Sequence, residues 1–394
     1  MKRLGASLLV LALAPALLTA CSSGDDDTVS GSNTATAAAS GSTNDLSSVC
    51  PKTVVIQQDW EPEAEHSTAY YLVGGGYTVD AKKKRVTGPL VIDGPDTGVK
   101  VDTGVKVEVR AGGAAIGYQS VASQMYIDPD ILLGAVTTDG AIEASKSQPV
   151  TAVVAPLNKS PQMLMWDPKS HPDVKTIAEL GKSGASVVVS KGTLYAELLV
   201  AKGLITRKQI DTSYDGAPAR FVGDPKIAQQ GFATAEPYIY QHEVSAWGKP
   251  VSYQLLSDVG YNVYPEPLSV RSADVTKQAA CLKKLVPILQ KAQVGYLTNP
   301  TATNKLITDL VTKYNDGWTY SVGVADYAAK EMKALNIVAN DSSGPLGGMD
   351  ATRVQQSIDT FVPLLAKSGS TPKPGLKAAD IIDTQFVDKA VKLS

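Results

Sequence analysis

Between Gln57 and His66 the chain brings together four carboxylates, an indole and an imidazole, and Asp59, Trp60, Glu63 and His66 are the candidates among them. Carboxylates accept hydrogen bonds from amino and hydroxyl groups and attract cations. A flat indole stacks on a planar ligand or caps an apolar one, and it also packs well in a core. Asp59 and Glu63 equally suit a helix start, where the helix dipole favours negative charge. His66 suits either donation to a ligand or capping of that helix. The types point to binding, and no catalytic constellation accompanies them. The three histidines, His66, His171 and His242, lie far apart in sequence, so no metal site is expected. The sequence holds no G-x-S-x-G elbow, no phosphate-binding G-x-x-x-x-G-K-[ST] loop, and no G-x-G-x-x-G after a strand. We expect no catalytic residue, no cofactor and no metal.

Further candidates follow strand-like stretches. Backbone amides from Gly112 to Ile116 suit an anionic or carbonyl oxygen at a helix start. Gly113 equally suits a turn, and Tyr118 and Gln119 come next. Ser190 to Tyr195 lies between a strand and a helix, with Lys191, Thr193 and Tyr195 as candidates. Glu236 and Tyr238 form a late pair, although Glu236 also suits a salt bridge at a hinge. Trp318 and Tyr320 read as packing residues. Arg220 reads as the partner of a nearby carboxylate.

The elements that would carry these residues alternate. Strand-like runs cover Thr53 to Ile56, Val105 to Arg110, Ile131 to Val136 and Val150 to Val154. Helical patterns cover His66 to Val73, Gln119 to Tyr126 and Ala141 to Ser147. This rhythm implies parallel strands with helices on both faces. A second set repeats it. Strands are expected at Gln162 to Trp166, Ser186 to Val189 and Val251 to Leu256. Helices are expected at Thr176 to Leu180, with Thr176 as N-cap and Glu179 at the capping-box spacing, and at Leu194 to Lys202. The end is mainly helical, over Ala279 to Val294, Ala302 to Tyr314 and Val354 to Leu365. Residues 96 to 101 and 102 to 107 repeat one hexapeptide, Asp-Thr-Gly-Val-Lys-Val. With Gly88-Pro89 and Gly94-Pro95 upstream, residues 77 to 104 read as a surface hairpin or loop insertion. Lys82 to Arg85 within it reads as a solvated charge run.

The first residues read as an export signal: Lys2 and Arg3, then an apolar run from Leu8 to Leu18 that is too short to span a bilayer. Leu18-Thr19-Ala20-Cys21 resembles the lipobox of bacterial lipoproteins. That resemblance implies cleavage after residue 20, lipidation of Cys21, and anchoring on the extracytoplasmic face of the cell membrane. Residues 21–49 are poor in large apolar side chains and read as a disordered tether. The remaining cysteines, Cys50 and Cys281, are expected to pair in an oxidising compartment. Loss of Lys2 and Arg3 takes the formal charge from −2 to −4. That balance argues against nucleic acid as a partner.

Three segments carry a wider resemblance. Gln57-Gln58-Asp59-Trp60-Glu61-Pro62-Glu63-Ala64-Glu65-His66, a strand followed by D-W-x-P-x-x-x-H, resembles the opening of the NMT1/THI5-like binding proteins. These are relatives of the yeast thiamine-pyrimidine synthases and group with the nitrate, sulfonate and taurine binding proteins of ABC importers. Ala111 to Gln119 is similar to a ligand-facing loop of that family. Gln230 to Ile239 is similar to its segment ending in an acidic residue, proline and tyrosine. The resemblance implies an α/β, two-lobed periplasmic-binding-protein-like fold (type II) with the ligand in the interlobe cleft. Lobe I would be residues 51–153 and 262–394, and lobe II residues 154–261. It implies a monomeric solute-binding protein, not an enzyme, that serves an ABC permease. Asp59, Trp60, Glu63, His66, Gly113, Tyr118, Gln119, Thr193, Tyr195, Glu236 and Tyr238 would line the site. The ligand would be a thiamine pyrimidine precursor or a related heterocycle, with nitrate, a sulfonate or another organic acid as the alternative. A sensor or orphan lipoprotein is a third reading. The synthase activity itself needs a cysteine-rich iron motif that this chain lacks.

Overall fold

The computed structural model describes residues 27–28 and 34–394, apart from 95–98, 215 and 343. The export signal and Cys21 lie outside the described residues. The β-branched run Thr53–Gln57 forms a central strand of the first sheet. It is covered on both faces: Val54 and Ile56 enter one apolar cluster and Val55 another. That explains a continuous apolar run in place of an alternating one. Its neighbours are Lys100–Arg110 and Ile131–Ala135, both parallel to it.

The sheet is mixed, not wholly parallel. Leu268–Arg271 lies antiparallel between Ile131–Ala135 and Val150–Val154. The reason is topological. The chain leaves Val150–Val154 for a second sheet, built around Gln162–Trp166, and returns from Ser252–Leu255 into Leu268–Arg271. The second sheet runs in the order 210–211, 187–188, 228–232, 162–166, 252–255. It has its own apolar centre, with Met163, Met165, Phe221 and Tyr240. The result is a two-lobed α/β fold. Helices Val275–Thr298, Thr301–Tyr314 and Val322–Ala334 cover the first lobe. Ala351–Lys367 does not belong to that lobe alone. Its Ile358 and Phe361 share a cluster with Ile142 of the first lobe and Leu198 of the second.

Arg353, on that helix, ties the chain crossings together. Its Nε donates to the Asn262 carbonyl at 2.9 Å and its Nη2 to the Val263 carbonyl at 2.8 Å. Nη1 reaches Asn158 Oδ1 at 3.2 Å, and the guanidinium lies 3.9 Å from the Tyr264 ring centroid. One side chain thus grips both crossings. Arg353→Ala is expected to cost about 1–3 kcal/mol, since it strands acceptors and removes a cation–π contact. Urea denaturation measures this, and Arg353→Lys restores little, because an ammonium cannot fork to several acceptors.

Two sequence expectations are corrected. Of the surface hairpin or loop insertion expected at 77–104, the hairpin is found but it is built into the main sheet: Arg85–Asp93 pairs antiparallel with Lys100–Arg110, and Val86, Leu90 and Val91 are buried. The tether does not extend to residue 49. Thr36–Ala37 pairs with Lys100–Arg110, and Leu46 is fully buried in the first lobe's core. Cys50 and Cys281 form a disulfide with Cα atoms 4.7 Å apart.

Candidate functional site

The segment after the central strand packs against Gly112 and Gly113, which follow the neighbouring strand Lys100–Arg110, so closely that only glycine fits there. Gly112 N donates to the Trp60 carbonyl at 2.7 Å, and Gly113 N donates to the Asp59 carbonyl at 2.8 Å. A Cβ on Gly112 would lie 2.3 Å from the Asp59 carbonyl carbon, and one on Gly113 would lie 2.9 Å from the Trp60 ring. These contacts hold Asp59 and Trp60 at the strand end, where open α/β sheets bind ligands. After this segment come the short helical turns Ala64–His66 and Ser67–Tyr70.

That chain path buries Glu61, Glu63, Glu65 and His66 together, each at most 6% exposed. The second crossing adds Glu266, also 6% exposed. His66 Nε2 lies 2.9 Å from Asp59 Oδ1, 3.7 Å from Glu266 Oε2 and 3.9 Å from Glu63 Oε1. Lobe II closes over this group. Thr234 donates to Glu65 Oε1, and Tyr238 packs 5.6 Å from Tyr327 of lobe I. Ser321 of lobe I donates to Glu243 of lobe II. Glu236 turns back on its own loop, where Oε2 accepts from Phe232 N at 2.6 Å.

The electrostatics follow from burial among like charges. Burial, with Asp316 nearby, pushes the Glu61 carboxyl up to about 7. Burial also lifts Glu236 to about 7, despite the Phe232 amide. Glu266 is pushed to about 8, first by burial and then by Asp59 and Glu65. Glu63 is held well above the carboxylate range by burial and by Glu65 and Glu266. Glu65 is raised by burial, opposed by its bond from Thr234. Burial alone would lower His66, but Glu266 and Asp59 overcome it and hold the imidazole at about 9. One imidazolium thus faces several carboxyls that ionise only at a cost.

An aromatic wall stands beside the acidic group. Trp60 lies 6.0 Å from Tyr118 and 6.1 Å from Trp318, and Trp318 stacks on Tyr320 at 6.4 Å. Tyr118 is 73% exposed, so its ring faces solvent at the rim.

The structure brings Asp59, Trp60, Glu63, His66, Gly113 and Tyr118 together. It separates others. Tyr195 is buried inside lobe II, edge-on to Tyr261 at 5.7 Å. Its hydroxyl donates to Gln230 Oε1, which also accepts from Ser190 N at 2.6 Å. Tyr195 therefore supports the Ser190 loop and does not offer its hydroxyl to a ligand. Thr193 Oγ1 donates within that loop, to the Ser190 carbonyl at 3.3 Å. Gln119 is exposed, and its Oε1 accepts from Gln124 Nε2 at 2.8 Å. Tyr238 serves the contact between lobes. Arg220 pairs with Asp211. Glu61, Glu65 and Glu266 were not singled out from sequence. Their signal was present: acidic residues alternate at 61, 63 and 65, and Glu266 sits between Pro265 and Pro267 at the returning crossing.

No family model matches the sequence, and no curated protein matches it. Solved structures do match. The aliphatic sulphonate binding protein SsuA of Escherichia coli aligns with a TM-score of 0.51 at 12% identity, over 88% of this chain and 94% of that one. The alkanesulfonate-binding protein SsuA of Xanthomonas axonopodis pv. citri, bound to MOPS, aligns with a TM-score of 0.50 at 13% identity, over 84% and 99%. A Bordetella bronchiseptica RB50 protein aligns with a TM-score of 0.50 at 15% identity, over 85% and 96%. Likeness at such identities is likeness of fold, and the fold it establishes is the two-lobed one of the periplasmic binding proteins.

Proposed function

We propose that the chain is an extracytoplasmic solute-binding lipoprotein that delivers a small, positively charged solute to an ABC importer. The single observation that carries the ligand class is the convergence of Asp59, Glu63 and Glu266 on one buried imidazole, with the Glu65 carboxylate buried close by. A cation entering that cleft neutralises carboxyls that otherwise ionise at a cost. An anion would meet them head-on. The importer role draws support from the fold and from neighbours whose own names are those of binding proteins. Among the described residues no helix is long and apolar enough to cross a membrane. The residues flanking Cys21 support its lipidation, and the protein would work as a lipid-anchored monomer beside its permease.

Trp60, Tyr118 and Trp318 favour an amino-bearing aromatic solute among organic cations, since such rings stack on planar cations. A thiamine pyrimidine precursor fits that description. The nitrate or sulfonate reading has the neighbours' printed ligand class in its favour and the charge of this cleft against it. A thermal-shift panel decides between them. Aminopyrimidines and simple cations are expected to raise the melting temperature of the purified protein, and nitrate, taurine and alkanesulfonates are not. Trp60→Ala is expected to abolish the aminopyrimidine shift. A shift with the anions alone would reverse the assignment.

A further inference from the structure

The acidic cleft has a geometry more specific than its charge. His66 Nε2 is the meeting point of three carboxylates: Asp59 Oδ1 at 2.9 Å, Glu266 Oε2 at 3.7 Å and Glu63 Oε1 at 3.9 Å. The binding atoms of Asp59, His66 and Glu266 all lie within 4.8 Å of one another. A single N–H satisfies one acceptor, and Asp59 takes it. Glu63 and Glu266, both more than nine-tenths buried, approach His66 only at ion-pair distance. Glu65 Oε2 is buried beside them with no hydrogen-bond partner. Buried carboxylates left this way call for a cation at their centre. In a four-coordinate metal site with bonds of about 2.1 Å, neighbouring ligand atoms stand about 3.4 Å apart. The separations at His66 straddle that value.

We propose that Asp59, His66 and Glu266, with Glu63 as a fourth ligand, coordinate a divalent first-row metal ion in the interlobe cleft, the His66 Nε2 proton passing to solvent as the metal takes its place. The donor set of one imidazole and three carboxylates suits Zn²⁺ or Mn²⁺. Thiols take no part, because Cys50 and Cys281 are joined to each other. The sequence argument against a metal rested on the dispersal of the histidines, and a site with one histidine does not need them paired. The four ligands come from the strand end, the first helical turn and the returning crossing. Thr234 on the Glu65 carboxylate brings lobe II down beside them, so occupancy and lobe closure are coupled. The inference rests on the reading that the cleft takes a cation, and it names that cation's class.

The test strips the purified protein with a strong chelator, dialyses it, and titrates it with ZnCl2 and separately with MnCl2. Calorimetry gives stoichiometry and affinity, and tryptophan fluorescence reports the site through Trp60. One equivalent of at least one metal is expected to bind. Glu266→Gln and His66→Gln are each expected to weaken binding by at least about 10-fold, as loss of a direct ligand should exceed the loss of an outer-shell partner. Both variants should still unfold in a single cooperative transition when metal-free, showing that they fold. Asp59→Asn serves in place of either that fails to fold. His242→Gln should bind as wild type. Absence of saturable binding by the wild type, or unchanged binding by Glu266→Gln, overturns the metal assignment. If metals fail while an aminopyrimidine raises the melting temperature, the metal falls and the cation reading stands. If neither acts, both fall.

Discussion

Stripped of metal and solute, the protein is expected to lose stability steadily as pH rises from about 5 to 9. The cause is the buried cluster. Glu61 and Glu236 are raised from 4.5 to about 7, and Glu266 from 4.5 to about 8. A group whose folded value lies above its unfolded one contributes stability that is complete below the unfolded value. That contribution is lost as pH climbs through the folded value. His66 acts with the same sign, its share disappearing as pH passes about 9. Several shifts of one sign add to a loss on the order of a few kcal/mol. On the acid side the sign reverses. Asp128 and Asp167 are held below the usual range, each against its own burial, by Arg110 and by Lys249 respectively. Their contribution goes as pH falls below about 4, so the optimum lies near pH 5. Urea midpoints across this range measure the curve. Glu266→Gln should flatten its alkaline side. A cation in the cleft should lift that side too, because it stabilises the charged carboxylates. A flat profile from pH 5 to 9 would show that the carboxyls are not buried together.

Reduction of the Cys50–Cys281 bond, or Cys281→Ser, is expected to cost about 2–5 kcal/mol. The two cysteines are 231 residues apart, so the cross-link closes a very long loop in the unfolded chain. Cys281 is fully buried in helix Val275–Thr298. Lys284 of the same helix donates to the carbonyls of Ser42 and Asp45, both at 2.8 Å. Residues 42–50 are therefore fastened to this helix by a covalent bond and an ammonium together. The disulfide therefore ties the start of the fold to a buried helix of the first lobe. Urea denaturation with and without reductant gives the cost. Equal midpoints would mean that the Lys284 contacts and Leu46 suffice alone.

Much of this architecture is legible in the residues, because it depends on local periodicity. The apolar run at Thr53–Gln57 and the Thr176 cap are local signals. Thr176 Oγ1 does accept from Glu179 N at 3.2 Å. What escapes the sequence depends on where the chain goes next. Pro89 reads as a loop breaker. It is nevertheless accommodated within Arg85–Asp93, because the register shifts between Pro89 and Val91, and such irregularities tolerate a proline. Leu46 is one apolar residue in a polar stretch, too weak a signal to mark burial. Glu61, Glu65 and Glu266 look like solvated loop acids beside prolines. Lys84 and Asp316, far away in sequence, stand beside Glu61, while Thr234 from lobe II and the return of the chain at Glu266 enclose the rest. Tyr195 fails in the opposite direction: a strand–helix junction suggests a cleft residue, and the side chain turns into the lobe instead.

The central claim is that the cleft takes a cation. Native mass spectrometry of the protein purified from its native source without added ligands tests it directly. The account predicts a bound species of positive charge, a divalent metal or a protonated amine, that is lost in Glu266→Gln. A retained nitrate, sulfonate or other organic anion, with no cation beside it, would contradict it.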